Sequence, residues 1–138
     1  MPKRIVIDSG PLIALFDKDD KYHPEALEFI KNLKAELITN YAVITEVSHL
    51  LDFSPRVQVD FLRWIFEGGL SVADILTDDL ARIIELTEKY SESPMDFADA
   101  SLVILCERMS IKDIASIDKD FGIYRTRNRM PFRNVFLA

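Results

Sequence analysis

The stretch KRIVIDSGPLIALFDK, from Lys3 to Lys18, decides how the chain is organised. The run KRIVID is short and β-branched, which predicts a strand that ends at Asp8. Gly10 and Pro11 follow at once and mark the entry to a helix, SGPLIALFDK. The chain therefore opens with a strand, a loop and a helix, the repeating unit of α/β proteins.

The remaining segments continue this alternation. Helical periodicity occurs in YHPEALEFIKNL (22–33), YAVITEVSHLLD (41–52), RVQVDFLRWIFEGG (56–69) and TDDLARIIELTEKY (77–90). Strand-like runs occur in AELITN (35–40), LSVADI (70–75), IKDIASID (111–118) and NVFL (134–137). We predict one domain over residues 1–138, a three-layer α/β/α fold with a central, mainly parallel sheet.

The segment SPMDFADASLVILCERM, from Ser93 to Met109, combines two acids with an otherwise apolar helix. Ser93 is a natural N-cap and Pro94 suits the first helical position, so the pattern predicts a helix that begins near Pro94. Asp96 suits the first turn, where an acid meets the positive end of the helix dipole. Asp99 lies on the same face three residues later, where two like charges repel and a buried carboxylate is costly. The spacing indicates that a cation is needed between them.

Length and composition indicate one ordinary domain. The 138 residues are 49% apolar, enough for a core without disulfides. The single cysteine, Cys106, lies in the apolar helix and cannot form an intramolecular disulfide, which favours a core role and a reducing cytoplasm. The sequence has no long apolar segment, so we expect neither a signal peptide nor a membrane helix.

Charge is distributed unevenly. The net charge of −6 argues against nucleic-acid binding by bulk charge. The segment from Phe121 to Ala138 nevertheless contains no acid and four arginines, Arg125, Arg127, Arg129 and Arg133. Such a cluster could bind the phosphates of a nucleic acid, with Arg125, Arg127 and Arg129 as the candidate contacts, or form a solvated edge or a patch for an acidic protein.

Four acids from four segments are expected to meet at one edge of the sheet. Asp8 and Asp118 each follow a strand, and the carboxyl edge of a parallel sheet is where such folds keep their sites. Glu46 and Asp99 lie in helices near the same edge. Oxygen ligands without histidine or thiolate suit Mg²⁺ or Mn²⁺, which can assist phosphodiester hydrolysis by activating water and neutralising charge on phosphorus.

Each acid also has a structural explanation. Asp8 could cap the following helix, and Glu46 alone could be an ordinary solvent-facing residue. Asp118 and Asp120 could form a turn.

Four motifs in order, IVIDSGPLIALF, TEV, MDFADASLVIL and SIDKDF, resemble the PIN-domain family, and most closely its single-domain VapC-like toxins. The resemblance implies a PIN-like fold, Mg²⁺- or Mn²⁺-dependent ribonuclease activity, a homodimer and inhibition by a cognate antitoxin. It assigns catalysis and metal binding to Asp8, Glu46, Asp99 and Asp118, with Asp96 and Asp120 as auxiliary ligands and Ser9, Thr45 and Ser116 as residues that orient the carboxylates. Ser116 and Ile117 stand where Thr and Asn are common in the family.

The sequence is also compatible with three other functions. A receiver-like domain would phosphorylate an aspartate, but it needs paired acids after the first strand and a lysine after a late strand. A phosphatase with an aspartate nucleophile usually has a second acid two residues on, where this chain has Gly10. A PIN-like RNA- or protein-binding module without turnover would keep the fold and lack the reaction.

Overall fold

The computed structural model describes residues 3–93 and 95–137, and its centre is one parallel sheet. The strands are β1 (Lys3–Ile7), β2 (Ala35–Asn40), β3 (Ser71–Ala73), β4 (Asp113–Ala115) and β5 (Arg133–Asn134). Their order in the sheet is β3-β2-β1-β4-β5, and all four pairings are parallel. The chain builds outward from β1 to β3 and then returns to the other side of β1, so the strand order reverses between β1 and β4. That switch point is where open α/β sheets form a crevice.

Helices cover the sheet. They are α1 (Ser9–Phe16), α2 (His23–Lys31), α3 (Tyr41–Leu50), α4 (Pro55–Phe66), α5 (Asp79–Lys89) and α6 (Phe97–Met109), with a 3-10 turn at Lys119–Gly122. The side chains of Val6, Ile7, Leu37 and Ile114 are at most 2% exposed, as expected for strands covered on both faces. This arrangement confirms the predicted three-layer α/β fold. None of the described helices is both long and apolar enough to span a bilayer.

Helix α6 begins later than the sequence pattern predicts. Its N-cap is Asp96 and not Ser93, and Pro94, the predicted first helical residue, lies outside the described residues. The Asp96 carboxylate accepts the Asp99 N–H at 2.7 Å, and the Asp99 carboxylate accepts the Asp96 N–H at 3.2 Å. The prediction of a Ser93 cap was wrong because Asp96 is itself the N-cap, and its reciprocal hydrogen bonds with Asp99 form the capping box three residues further along the chain.

The last two strands are shorter than the apolar runs that predicted them. The Asn134 side chain donates to the Ser116 carbonyl at 2.9 Å, just beyond the end of β4. Its Oδ1 accepts the N–H groups of Phe136 and Leu137 at 3.0 and 3.2 Å. Those N–H groups are therefore used by one side chain and not by a sheet ladder, which ends β5 at Asn134.

The end of α4 depends on two glycines. Gly68 has a φ of 97°, a left-handed conformation that favours glycine. A Cβ placed on Gly69 would lie 2.2 Å from the Trp64 ring. Trp64 packs against Phe16, with ring centroids 5.6 Å apart. The backbone at Gly69 can approach α4 this closely only because it lacks a side chain.

We predict that Gly69→Ala destabilises the fold, because the new methyl group displaces Trp64 from its packing. The expected loss is about 1–3 kcal/mol in the free energy of unfolding, measured by urea denaturation. Gly122→Ala is the matched control, since nothing lies within 4 Å of a Cβ there. Equal effects of the two substitutions would contradict this account of the α4 terminus.

Candidate metal centre

Asp8 lies at the switch point and is held from two sides. It directly follows β1 and caps α1, and its Oδ1 accepts the Ser9 N–H at 2.7 Å. Its Oδ2 accepts the Ser116 hydroxyl at 2.9 Å. Asp8 is 6% exposed and Ser116 is fully buried, so this carboxylate has a fixed position at the end of two neighbouring strands.

Asp99 and Asp118 approach Asp8 from two other segments. One carboxylate oxygen from each of these three residues lies within 4.8 Å of the other two. Asp99 comes from the first turn of α6, and Asp118 comes from the loop after β4. The cluster is therefore assembled from distant parts of the chain, at the edge where the sequence predicted it.

Hydrogen bonds also orient Asp118. The Asp118 N–H donates to the Ser116 hydroxyl at 2.9 Å, so Ser116 connects Asp8 to Asp118. The Asp118 carboxylate accepts the Asp120 N–H at 2.9 Å and thereby caps the 3-10 turn. Asp118 therefore has both of the predicted positions: it caps the turn, and its carboxylate lies in the cluster with Asp8 and Asp99.

Glu46 adjoins the cluster without belonging to the three-carboxylate group. Its carboxylate accepts the Ser9 hydroxyl at 2.7 Å, while the Ser9 N–H holds Asp8. Thr45, predicted to orient a carboxylate, is exposed, and its hydroxyl donates to the Tyr41 carbonyl within α3 at 2.7 Å. Ser9 and Ser116 contact the acids, whereas Thr45 bonds the backbone of its own helix.

Burial and mutual repulsion make the three carboxylates reluctant to ionise. Desolvation raises the pKa of Asp8 to about 6, and the charges of Glu46 and Asp118 add to the shift. Desolvation, then Asp96 and Asp8, raise the pKa of Asp99 above its ordinary value. Burial also raises the pKa of Asp118. The site therefore concentrates negative charge that the surrounding protein does not neutralise.

The donor set fits a hard divalent cation. Among residues 3–93 and 95–137, no Lys, Arg or His forms an ion pair with Asp8, Asp99 or Asp118. Buried carboxylates normally have a charged partner or bind a metal. Three convergent oxygen ligands without a soft donor match the preference of Mg²⁺ and Mn²⁺.

The structure adds residues near the site that the sequence did not single out. Asn40 caps α3, and its side-chain NH₂ donates to the Ser101 hydroxyl at 2.9 Å. Ser101 in turn donates to the Ala98 carbonyl at 2.6 Å, which ties α3 to the first turn of α6. An Asn between a strand and a helix is a recognisable cap signal, but its long-range partner is not readable from sequence.

Tyr124 is a second such residue. It is fully buried, and its pKa is raised by desolvation first and then by the charge of Asp99. Its ring packs edge-on against Phe121 and Tyr90, with centroids 5.1 and 5.0 Å away. The buried Tyr124 ring therefore lies close enough to the acidic cluster for the charge of Asp99 to act on it.

The predicted arginine cluster is partly engaged in contacts within the chain. Arg125 donates to the Gly122 and Tyr124 carbonyls, both at 2.8 Å. The Arg127 guanidinium lies 3.9 Å from Glu85, and Arg133 pairs with Asp113 at 2.9 Å. Arg129 is exposed at the tip of the same loop. The role of Arg125, Arg127 and Arg129 in RNA binding stays a prediction.

Comparisons with known proteins agree with this geometry. The family model described as PIN domain matches residues 5–126. Ribonuclease VapC26 of Mycobacterium tuberculosis is 26% identical over 119 residues, which cover 83% of this chain and 87% of that protein. The crystal structure of Mycobacterium tuberculosis VapC20, described as a sarcin-ricin loop cleaving toxin, matches with a TM-score of 0.80 at 21% identity. That alignment covers 86% of this chain and 93% of the other, and it shows a shared fold.

We predict that, without divalent cations, the protein loses stability as pH rises from about 4 to above 6. The pKa of Asp8 is 3.8 when unfolded and about 6 when folded, so the folded state holds its proton longer. Folding therefore binds protons in this window, and raising the pH costs on the order of 3 kcal/mol for this group. The raised pKa of Asp99 extends the loss to higher pH. Urea denaturation in EDTA at a series of pH values measures it.

Asp99→Asn is the comparison for this prediction. The amide oxygen can still accept the Asp96 N–H, while the charge is removed. The variant should lose less stability across the same pH range and should equal or exceed the wild type near neutral pH. A wild type that gains stability across this range, in parallel with the variant, would refute the charge account.

Proposed function

The chain belongs to the PIN domain family, and we propose that it is a metal-dependent ribonuclease, the toxin of a toxin–antitoxin pair. The observation that carries the proposal is the cluster of Asp8, Asp99 and Asp118, whose oxygens converge without a protein cation. The similarity to a ribonuclease and to an RNA-cleaving toxin supports RNA as the substrate. The hydroxyl of the fully buried Ser116 also donates a hydrogen bond to Asp8, so the cluster is anchored to the core of the protein.

We assign metal binding to Asp8, Asp99 and Asp118, with Glu46 nearby and Asp96 and Asp120 as auxiliary acids. A bound Mg²⁺ or Mn²⁺ would activate water and neutralise charge developing on the phosphate. Ser116 holds Asp8 and the Asp118 backbone, and Ser9 holds Asp8 and Glu46. The Asp96–Asp99 cap fixes the position of the third carboxylate. These contacts pre-organise the acids and remove the need for reorganisation during the reaction.

Glu46 is the acid best placed to act on a proton in this proposal. It is partly exposed beside the cluster, and one of its oxygens is occupied by the Ser9 hydroxyl. The other oxygen faces no ion pair among the described residues and can accept a proton from an attacking water or orient that water. Asp8 and Asp99 are buried, and together with Asp118 they serve the cation.

The aspartyl-phosphate alternatives have less support. In the described part of the chain, no lysine forms an ion pair with Asp8, although a receiver-like site requires a lysine beside its acids. A phosphatase with an aspartate nucleophile usually has a second acid two residues on, and position 10 is glycine.

We also propose a homodimer that forms through α4. The outer face of this helix exposes Val59, Leu62 and Phe66, which are 49%, 46% and 91% exposed. Positions i, i+3 and i+7 form one stripe along a helix. A contiguous apolar stripe of this kind on a surface helix marks an interaction surface.

The charges beside this stripe favour a second copy of the same chain. Arg56, Asp60, Arg63 and Glu67 follow one another at intervals of four, three and four residues, and none forms an ion pair in the described structure. If two α4 helices pack antiparallel about a two-fold axis between residues 61 and 62, Arg56 faces Glu67 of the partner subunit. Asp60 then faces Arg63 of the partner subunit. The pattern is self-complementary, as a two-fold interface requires.

A cognate antitoxin and a cytoplasmic location complete the proposal. A basic segment over the acidic cluster would supply the missing positive charge, and arginine suits it because its guanidinium bonds carboxylates in pairs. The buried Cys106 thiol, whose pKa is raised to about 12 by desolvation, is unreactive and compatible with a reducing compartment. Arg125, Arg127 and Arg129 remain the candidate contacts to RNA phosphates outside the cleft.

Purified protein is expected to cleave RNA with Mg²⁺ or Mn²⁺ and to lose that activity in excess EDTA. Bacterial ribosomal RNA is the first substrate to test, since a protein of the same fold cleaves the sarcin-ricin loop. Asp99→Asn should lower the rate at least about a hundredfold, because even residues that merely support metal ligands cost up to that much. Asp52→Asn, an exposed acid in the α3–α4 turn, is the control. Undiminished cleavage in EDTA, or RNA binding without turnover, would overturn the enzymatic proposal.

The dimer is tested by charge exchange on α4. Arg63→Glu should weaken association, because it places two acids opposite each other across the two-fold axis. The double variant Asp60→Arg with Arg63→Glu restores opposite charges and should recover the dimer. Light scattering across the micromolar range measures the mass. A monomeric wild type, or a double variant no better than Arg63→Glu, would exclude this interface.

A further inference from the structure

A groove opens beside the acidic cluster, between α3 and the start of α6. Ala42, Thr45, Glu46 and His49 form one wall, and Asp96 and Phe97 lie on the other. The four α3 residues are spaced at i, i+3, i+4 and i+7, so they share one face of that helix. The groove is shallow and open to solvent, with a volume of about 510 Å³. Because Glu46 and Asp96 also border the carboxylate cluster, the groove is continuous with the candidate metal centre.

Phe97 is the unusual residue in this groove. It is 49% exposed, although the residues that follow it from Ala98 to Cys106 are buried. Within the described part of the chain its ring takes part in no aromatic pair. It is also rigidly placed, because the cap between Asp96 and Asp99 fixes the backbone on both sides of it.

We infer that Phe97 is a stacking platform for one unpaired nucleobase of the RNA. This inference rests on the proposed ribonuclease function and adds a substrate-binding residue to it. The groove adjoins the carboxylate cluster, so a phosphate bound there through a cation would have a neighbouring nucleoside within reach of the groove. Ala42 and Thr45, which line the same groove as Phe97, have small side chains and so take up little of its space. Bases of single-stranded or looped RNA stack on such aromatic rings, whereas paired bases are not available.

The partner is RNA in this inference because of where the groove leads. Its acidic walls, Glu46 and Asp96, would repel a phosphate backbone, so the backbone would lie at the carboxylate cluster, where a bound cation would offset the charge, and only the uncharged base would enter the groove. The site then selects an unpaired nucleotide next to the cleaved bond, and Phe97 acts on substrate binding more than on the reaction itself.

The test compares Phe97→Leu with Phe97→Trp on a short single-stranded RNA that the wild type cleaves. Leucine keeps the apolar character but has no ring face, and tryptophan keeps the ring. Phe97→Leu should raise KM about five- to 150-fold, the range of one lost base stack, with a much smaller change in kcat. Phe97→Trp should stay near the wild type. Phe53→Leu, at an aromatic residue 59% exposed outside the groove, controls for the loss of any surface ring.

A second substrate isolates the stacking contact. It is the same RNA with an abasic nucleotide in turn on each side of the cleaved bond. At one of these positions the wild type and Phe97→Leu should become equal, because the base that the ring would contact is gone. An unchanged KM for Phe97→Leu on the complete RNA, or a loss that persists at both abasic positions, would overturn the inference.

Two further outcomes separate this inference from the proposed function. If the wild type cleaves no RNA with Mg²⁺ or Mn²⁺, the ribonuclease proposal fails. Fluorescence anisotropy with the same RNA then tests separately whether the groove binds RNA. Weaker binding by Phe97→Leu than by Phe53→Leu would support it, and equal binding would overturn it. If Phe97→Leu weakens capture of a co-expressed antitoxin but leaves KM unchanged, the groove is a protein-docking surface and the RNA assignment is wrong.

Discussion

Electrostatic repulsion among Asp8, Asp99 and Asp118 is the constraint on which the rest of this site depends. Their oxygens converge within 4.8 Å, and Asp8 and Asp99 are buried away from the water that would otherwise screen their charges. Desolvation first, and the charges of neighbouring acids second, raise the pKa values of all three carboxylates. A protein keeps such an arrangement when an external ligand relieves it, because structural carboxylates normally have a partner of their own. The cluster of Asp8, Asp99 and Asp118 therefore favours the binding of a cation.

The architecture explains how three distant segments meet there. The strand order reverses between β1 and β4, so the residues after both strands face one crevice. Ser116 joins these two strand ends by bonding Asp8 and the Asp118 N–H. The reciprocal cap of α6 serves both structure and site, since it satisfies backbone donors and orients Asp99. In the proposed site the Asp99 carboxylate would therefore both cap α6 and bind the cation, and a substitution at Asp99 must be judged on both effects.

Sequence reasoning recovered features that follow from local chemistry. The β-branched run before Asp8 and the apolar surroundings of Asp99 placed both acids at the carboxyl edge of a parallel sheet. It failed where two side chains compete for one role. Ser93 and Asp96 are both good N-caps, and only the reciprocal contact with Asp99 decides between them. Arg127 lies near Glu85, and Asn40 bonds Ser101. Both partners are distant in sequence, so these contacts follow only from the tertiary structure.

If Asp8, Asp99 and Asp118 are the ligands of one divalent cation, the anomalous difference map of a crystal grown with Mn²⁺ tests this directly. A peak is expected within coordination distance of one oxygen from each of the three side chains, and no such peak is expected at this position in Asp99→Asn. A wild-type map that lacks this peak while manganese binds elsewhere would contradict it, as would a lysine or arginine side chain found between the three carboxylates.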